Sequence, residues 1–245
     1  MINLGNRNGI GNLPYANTGT PLASSPALRK AFEEAIDRDA MNRVVFGGTT
    51  QIGCTPFSPS GPAFDASIEC TPYDPADAKR LVARSGFPNP TVHLLLPNTT
   101  DNVRFAQFIQ AQEAAVGINV VVDAVASPIV ASLQASGSFE TMLAGPASGA
   151  NTDANIYEWT ATSGGRNYGG YSNPRLDLIL ANSRKATGPQ ALRTLYHAAQ
   201  QILAADRPTI FLYHTTRYSG VSTAVTGVEQ RSADLLLRVA FAQYR

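Results

Sequence analysis

Apolar positions recur along the chain at two spacings. Leu192, Leu195, Tyr196, Ala199, Ile202 and Leu203 fall at i, i+3, i+4, i+7, i+10 and i+11, which lines one face of an α-helix packed on a core. Just upstream, Leu176, Ile179 and Leu180 share a face behind Asn173 and Pro174. The Asn side chain can accept from an orphan amide, and a proline at the first helical position loses no hydrogen bond. The same punctuation stands at Ser25 and Pro26, Asp74 and Pro75, and Ser127 and Pro128. It predicts a helix with Leu28, Phe32, Ala35 and Ile36 inward, a second with Ala78, Leu81 and Val82 inward, and a third over 128–136. Another helix, carrying Met41, Val44 and Val45, follows Asp37 and stops at Gly47 and Gly48, while Gly86 and Gly137 stop two of the others.

Between the helices lie three strand readings, over 91–96, 118–125 and 139–144, with a helix over 101–116 joining the first two. Strand, helix, strand, helix, strand with short joints predicts two right-handed crossovers and a mostly parallel sheet, an α/β fold. Ligands of such open sheets sit outside the carboxyl ends of the strands. The third strand ends at Ala144, and GPASGANTDANIYEWTATSGGRNYGGY after it reads as a long loop rich in hydrogen-bonding side chains. That topology points to 145–155 as a ligand surface. Further on, 208–213 alternates as a strand, and 223–245 reads as a weak strand followed by an apolar helix through Leu235, Leu236, Val239 and Ala240.

Composition adds mainly exclusions. With 245 residues and 44% apolar content, the chain has material for a sizeable core, as one large domain or two small ones. Lys and Arg total 19 against 18 Asp and Glu, a net charge of +1 without basic runs, so neither nucleic acid nor a polybasic membrane contact is expected. No apolar stretch approaches the ~20 residues that span a bilayer. The opening MINLGNRNGIGNLPY lacks the basic-then-apolar order of a signal peptide. His93, His197 and His214 stand far apart, and no CxxC, HExxH, phosphate loop or GxSxG occurs. No metal, cofactor or catalytic constellation is therefore expected.

Six blocks in order carry a family resemblance: ALRKAFEEAIDRDAM, TPYDPADAKRLVARSGF, RFAQFIQAQEAAVGINV, SGSFETMLAG, NYGGYSNPRLDLIL and LYHAAQQILAADRPTIFLY. Together they resemble the family 5 extracellular solute-binding proteins of ABC importers, the receptors for dipeptides, oligopeptides and nickel. The resemblance runs from about Tyr15 to Tyr213. It implies a type II periplasmic-binding-protein-like lobe, a mostly parallel sheet flanked by helices, in an extracytoplasmic receptor. Such a receptor closes on a peptide or other small solute by hinge motion and delivers it to a membrane permease, without catalysis. Residues 1–24 then correspond to an irregular segment whose Tyr15, Ala16, Asn17 and Thr18 look like the family's crossing strand. Residues 25–207 correspond to the solute-binding lobe, and 208–245 return toward a first lobe that this chain does not contain. A ligand-sensing domain of a regulatory protein is the alternative, and a hydrolase built on Asp153 or His214 a remote third.

The resemblance also places the site. Family members that bind peptides carry GWxxDYPDPDNF after the third strand, whose first Asp meets the peptide amine. Laid on it, Gly145 matches the Gly, Pro146 replaces the Trp, Gly149 replaces the Asp, and Asn155 matches the late Asn. The loop after the first strand, LLPNTTDN, lacks the Arg that meets a dipeptide's carboxylate, and Arg104 looks like a helix residue instead. Because charged ligand groups need charged partners or several hydrogen bonds once they leave water, a zwitterionic dipeptide fits poorly. A longer peptide held through its backbone, or an uncharged solute, fits better. Candidate ligand contacts are Asn98, Gly145, Pro146, Ala147, Ser148, Asn151, Asp153 and Asn155. Asp153 reads first as a turn-former, with a displaced anchor as the second reading. Trp159, Tyr168 and Tyr171 read as packing residues or cleft aromatics. Cys54 and Cys70 flank a Pro/Gly/Ser-rich loop; a disulfide between them suits an exported protein, and two unpaired buried cysteines are the other reading.

Overall fold

A computed structural model of the chain describes residues 1–145, 152–216, 220–230, 237–238 and 243–244. Its first helices start where polar caps meet good helix formers. α1 (Pro21–Ser24) is capped by Thr20, α2 (Pro26–Glu34) by Ser25, whose hydroxyl accepts from the Leu28 amide, and α3 (Arg38–Phe46) by Asp37. Gly47 ends α3 in the left-handed region at φ 61°, a conformation glycine adopts without steric cost. Met41 and Val45 are buried, whereas Val44 is 64% exposed, since it lies off the stripe that faces the sheet. After β1 (Gln51–Ile52) and a long loop, Asp74 caps α4 (Pro75–Arg84) through the amides of Ala76 and Asp77.

The central sheet follows. β2 (Thr91–Pro97), α5 (Thr100–Ala115), β3 (Asn119–Val125), α6 (Ser127–Ser136) and β4 (Thr141–Met142) form a parallel sheet in the order β3-β2-β4. Leu94 pairs with Thr141 and Val122, so β2 is the middle strand and the β3-to-β4 crossover passes over it. Period-2 alternation sorts β2 between two cores. Val92, Leu94 and Leu96 join Phe32, Met41, Val82, Phe105 and Ile109 from α2 to α5 on one face. Leu95 joins Val130 of α6 and Met142 on the other. Leu22, Leu28 and Leu96 are wholly buried, each contributing ~1.5–3 kcal/mol by leaving water.

A helical half completes the described chain: α7 (Thr152–Thr160), α8 (Pro174–Ser183, capped by Asn173) and α9 (Pro189–Asp206). Their core gathers Ile156, Leu176, Leu180, Tyr196, Ala199 and Leu203, the stripe that the helical spacing predicts. The long loop after β1 is fastened onto this half. A Cys54–Cys70 disulfide holds its ends with the Cα atoms 5.1 Å apart. Phe57 packs on Tyr196 at 5.3 Å between ring centroids, and Asp65 meets His197 Nδ1 at 2.6 Å. β5 (Tyr213–His214) pairs antiparallel with β1. Beyond it, β6 (Val225–Thr226) pairs with β9 (Gln243–Tyr244), and β7 (Glu229–Gln230) with β8 (Leu237–Arg238).

Residues 1–6 join the two halves. Ile2 bridges Thr141 antiparallel and its amide bonds the Pro208 carbonyl at 2.9 Å, while the Leu4 amide bonds Gly169 at 2.8 Å. Asn3 and Asn6 are fully buried. Asn3 Nδ2 donates to the carbonyls of Gly137 and Phe139, and Asn6 Nδ2 to that of Tyr168. Asn6 lies so close to Gly137 and Gly170 that a Cβ at either would strike it. Both glycines also have positive φ, 77° and 59°, so two physical reasons fix them.

Several expectations are corrected. Ser127 does not cap α6: the N-cap is Ala126, with no side-chain hydrogen bond, and Ser127 is the first helical residue. The third strand shrinks from 139–144 to Thr141–Met142, because Glu140 O and Met142 N bond the N-terminal segment. Of 208–213, only Tyr213 enters a strand, as the Pro208 carbonyl is taken by Ile2. The apolar helix expected within 223–245 is absent at its centre, where Leu237 and Arg238 form β8; Leu235, Leu236, Val239 and Ala240 lie outside the described residues. The loop read over 145–171 contains α7.

Candidate functional site

The three strands end together. The Asn98 amide donates to the Val125 carbonyl at 2.9 Å, and the Leu143 amide to Leu95 at 2.9 Å. Continuing the register in which Leu95 faces Met142 brings Asn98 level with Gly145. Helices depart from the same edge, α5 capped by Thr99 and α6 without a side-chain cap. The first-turn amides of Thr100, Asp101 and Ser127 are left there as donors for polar ligand groups, whereas Pro128 has no N–H and the amides of Ile129 and Asn102 are bonded to the Ala126 carbonyl and the Thr99 hydroxyl. Asn98, Thr99, Ser127, Pro128, Ile129 and Gly145 are all exposed, and Ile129 is half uncovered at 50%. The edge thus offers amides, hydroxyls and one apolar knob. Asp101, in the first turn of α5, is an acidic side chain among the described residues there.

The structure brings Asn98 and Gly145 to this edge and puts Asp153 and Asn155 on α7. Pro146, Ala147, Ser148 and Asn151, with Gly149, lie outside the described residues. Asp153 is neither a turn-former nor an unpaired carboxylate. Arg184 at the end of α8 forks it, with Nε at 3.0 Å from both oxygens and Nη2 at 2.7 Å from Oδ2. The same guanidinium lies 3.3 Å over the Tyr157 ring. Asp153 therefore brackets α7 to α8, and its charge is neutralised within the protein. The carboxylate in turn raises the Arg184 pKa.

The aromatics pack. Trp159 meets Tyr168 edge-on at 6.0 Å between centroids. Tyr171 is buried and donates to Asp206 Oδ2; burial and that carboxylate push its pKa up. The histidines stay apart: His93 pairs with Asp123 at 3.0 Å, His197 with Asp65, and half-buried His214 has its pKa lowered by burial. Among the described residues no cluster of three metal-ligating side chains exists, and no helix is long and apolar enough to cross a membrane.

Sequence reasoning missed two features. The uncapped start of α6, with Ser127, Pro128 and Ile129 at the ligand edge, was hidden because Ser127 read as a cap. Arg184 carried no local signal, since its partner lies 31 positions away.

A parallel three-stranded sheet with an open carboxyl edge, covered by helices and joined to a helical half, defines a lobe of the type II periplasmic-binding-protein class. Within that class, the chain belongs to the bacterial extracellular solute-binding proteins, family 5, whose Middle model matches residues 4–168. It is 32% identical over 215 residues to a glutathione-binding protein, GsiB, of Pectobacterium atrosepticum, an alignment covering 83% of this chain and 42% of that protein. Among solved structures it resembles HbpA2 of Haemophilus parasuis, with TM-score 0.80 and 21% identity over 94% of this chain and 47% of that one. It also resembles the periplasmic binding protein DppA of Helicobacter pylori, solved in complex with the peptide STSA. That likeness has TM-score 0.71 and 25% identity over 78% of this chain and 38% of that one. The chain thus spans less than half the length of the relatives it matches.

Proposed function

We propose that this chain is the second lobe of an extracytoplasmic solute receptor of an ABC importer. In this reading 25–207 form the lobe, and 208–245 return toward a first lobe elsewhere in a longer protein. The receptor closes on its solute by hinge motion and presents it to a membrane permease, with no chemical step. The observation that carries the reading is the carboxyl edge: it is open, offers helix-start amides and carries Asp101 as its acidic side chain, while Asp153, the anchor that the sequence offers, is already neutralised by Arg184.

The same observation sharpens the solute. A ligand carboxylate facing this edge would lose water without gaining a countercharge, and an ammonium would find only Asp101 among the described residues, so a zwitterionic dipeptide is left half paired here. A longer peptide bound through its backbone, or an uncharged solute, is held by the amides and by Asn98, Asn155 and the 145–151 segment. The relatives' names, glutathione-binding for one and a peptide complex for another, favour the peptide arm.

Native mass spectrometry of the longer receptor, purified without refolding, tests this. The expected result is a mass excess, released on denaturation, that resolves into peptides or one uncharged solute. A receptor without mass excess that also gives no heat with peptide mixtures overturns the reading.

A further inference from the structure

α7 carries Asn155 of the proposed ligand face in its first turn, and the helix is lightly packed. Of its 9 residues, only Ile156 and Thr160 are buried. Backbone ties hold its far end: the Thr162 amide donates to Asp177 Oδ1 at 2.8 Å, and the Arg166 amide to the Glu158 carbonyl at 2.8 Å. The first turn is gripped by a side chain from another helix.

That side chain is Arg184, at the C-cap of α8. Leu176, Leu180 and Ser183 of α8 are buried, and the Ser183 hydroxyl donates to the Leu180 carbonyl at 2.8 Å, so Arg184 is rooted in a packed helix end. Its guanidinium reaches two successive turns of α7, because Asp153 and Tyr157 stand four apart and share a face. Nε and Nη2 fork the Asp153 carboxylate at 2.7 to 3.0 Å, and the flat group lies 3.3 Å over the Tyr157 ring. Exposed ion pairs contribute little in general, but a two-point fork combined with a cation–π contact is a geometry that departs from that rule. With side chains 42% and 31% exposed, the pair stays open to screening by salt.

We propose that Arg184 is a positioning residue of the ligand face: without touching the solute, it holds the first turn of α7, and Asn155 with it, in the place where the solute meets them. The consequence for binding rests on the function proposed above, whereas the hold itself is read without any solute.

Backbone hydrogen exchange of the full chain reads the hold. In an α-helix the Ile156 and Tyr157 amides bond the carbonyls of Thr152 and Asp153, so they report the first turn. Arg184→Gln and Asp153→Asn should each speed exchange at these two amides about tenfold, with the amides of α9 and β2 and the unfolding temperature unchanged. Raising salt from about 0.01 M to about 1 M should move the native chain toward the variants and leave the variants where they are. In the longer receptor, Arg184→Gln should retain about tenfold less of the co-purified mass excess after equal dialysis. Unchanged exchange at Ile156 and Tyr157 in both variants, acceleration spread over α9 and β2, or equal salt response in native chain and variants overturns the hold. Faster local exchange with undiminished retention of the mass excess overturns the positioning role. A native receptor without mass excess overturns the function proposed above and the positioning role with it, while exchange at the two amides still decides the hold.

Discussion

Charged groups at the junction of the two halves are buried and paired, whereas the carboxyl edge is exposed and almost neutral. At the junction, Glu33 accepts from Arg38 at 2.8 Å and from Arg207 at 2.7 Å, with side chains 5–17% exposed. Arg38 also donates to the carbonyls of Phe211 and Thr71, and Arg29 to those of Asp206 and Leu22. Asp206 receives Tyr171 and Asn173. At the edge, Asn98, Ser127, Ile129 and Gly145 form no such network. Buried ion pairs with satisfied hydrogen bonds fix one arrangement of packed elements. Neutral exposed donors leave an edge free to take up a ligand. The difference teaches that the charges in this lobe hold its parts in register, and that under the proposed function recognition is left to amides and shape.

Breaking the junction should have the largest effect. Glu33→Ala strands two guanidinium groups in a buried site and should cost about 3–5 kcal/mol, read by chemical denaturation. Next comes the disulfide. Reduction, or joint replacement of Cys54 and Cys70 by Ala, frees a loop spanning a sequence separation of 16. It should cost about 3 kcal/mol, and added reductant should then have no further effect on the double variant.

Glu113 sharpens the comparison, as a carboxyl that neither region pairs. It is wholly buried, neither oxygen has a partner, and burial raises its pKa well above the usual value. A group whose folded pKa exceeds its unfolded one gives its full stability below the unfolded pKa, near 4.5, and loses it as pH rises through the folded value. Glu113→Met should remove that loss and stabilise the chain by about 1–3 kcal/mol at neutral pH, with a flatter dependence of the denaturation midpoint on pH.

At the edge, Asn98→Asp puts a charge where none is compensated. It should weaken solute binding by the longer receptor about tenfold and leave the unfolding temperature almost unchanged. The smallest effect belongs to Asp65, whose pKa falls to about 2 through the Ser67 hydroxyl and amide and then His197. Its contribution is present above the unfolded carboxylate pKa and is lost as pH falls toward 2. Because the group is open to solvent, Asp65→Asn should cost under ~1 kcal/mol, measured at neutral pH.

The fold was largely legible because its signals are local. Ser25, Asp74 and Asn173 each precede proline and each caps the expected helix through its side-chain oxygen, and the three strands stand at the expected places. Ser127 failed because the same dipeptide also fits one position further into a helix. α7 was missed because its polar run, TDANIYEWT, buries only Ile156 and Thr160. The run around Leu237 was misread because a short apolar segment carries no period that separates helix from strand. The open carboxyl edge was legible as topology and as spacing from a strand end. Its electrostatics was not: Arg184 meets Asp153 across 31 residues, and Arg207 meets Glu33 across 174, and such separations leave no pattern in the sequence.

Hydrogen exchange on the longer receptor, solute-loaded against solute-stripped, tests the central claim most directly. Protection on loading should appear at 98–102, 126–129 and 145–155, with the already protected junction around Glu33 and Arg207 unchanged. Protection absent from all three segments of the carboxyl edge, with the solute bound, would contradict the assignment of this edge as the ligand face.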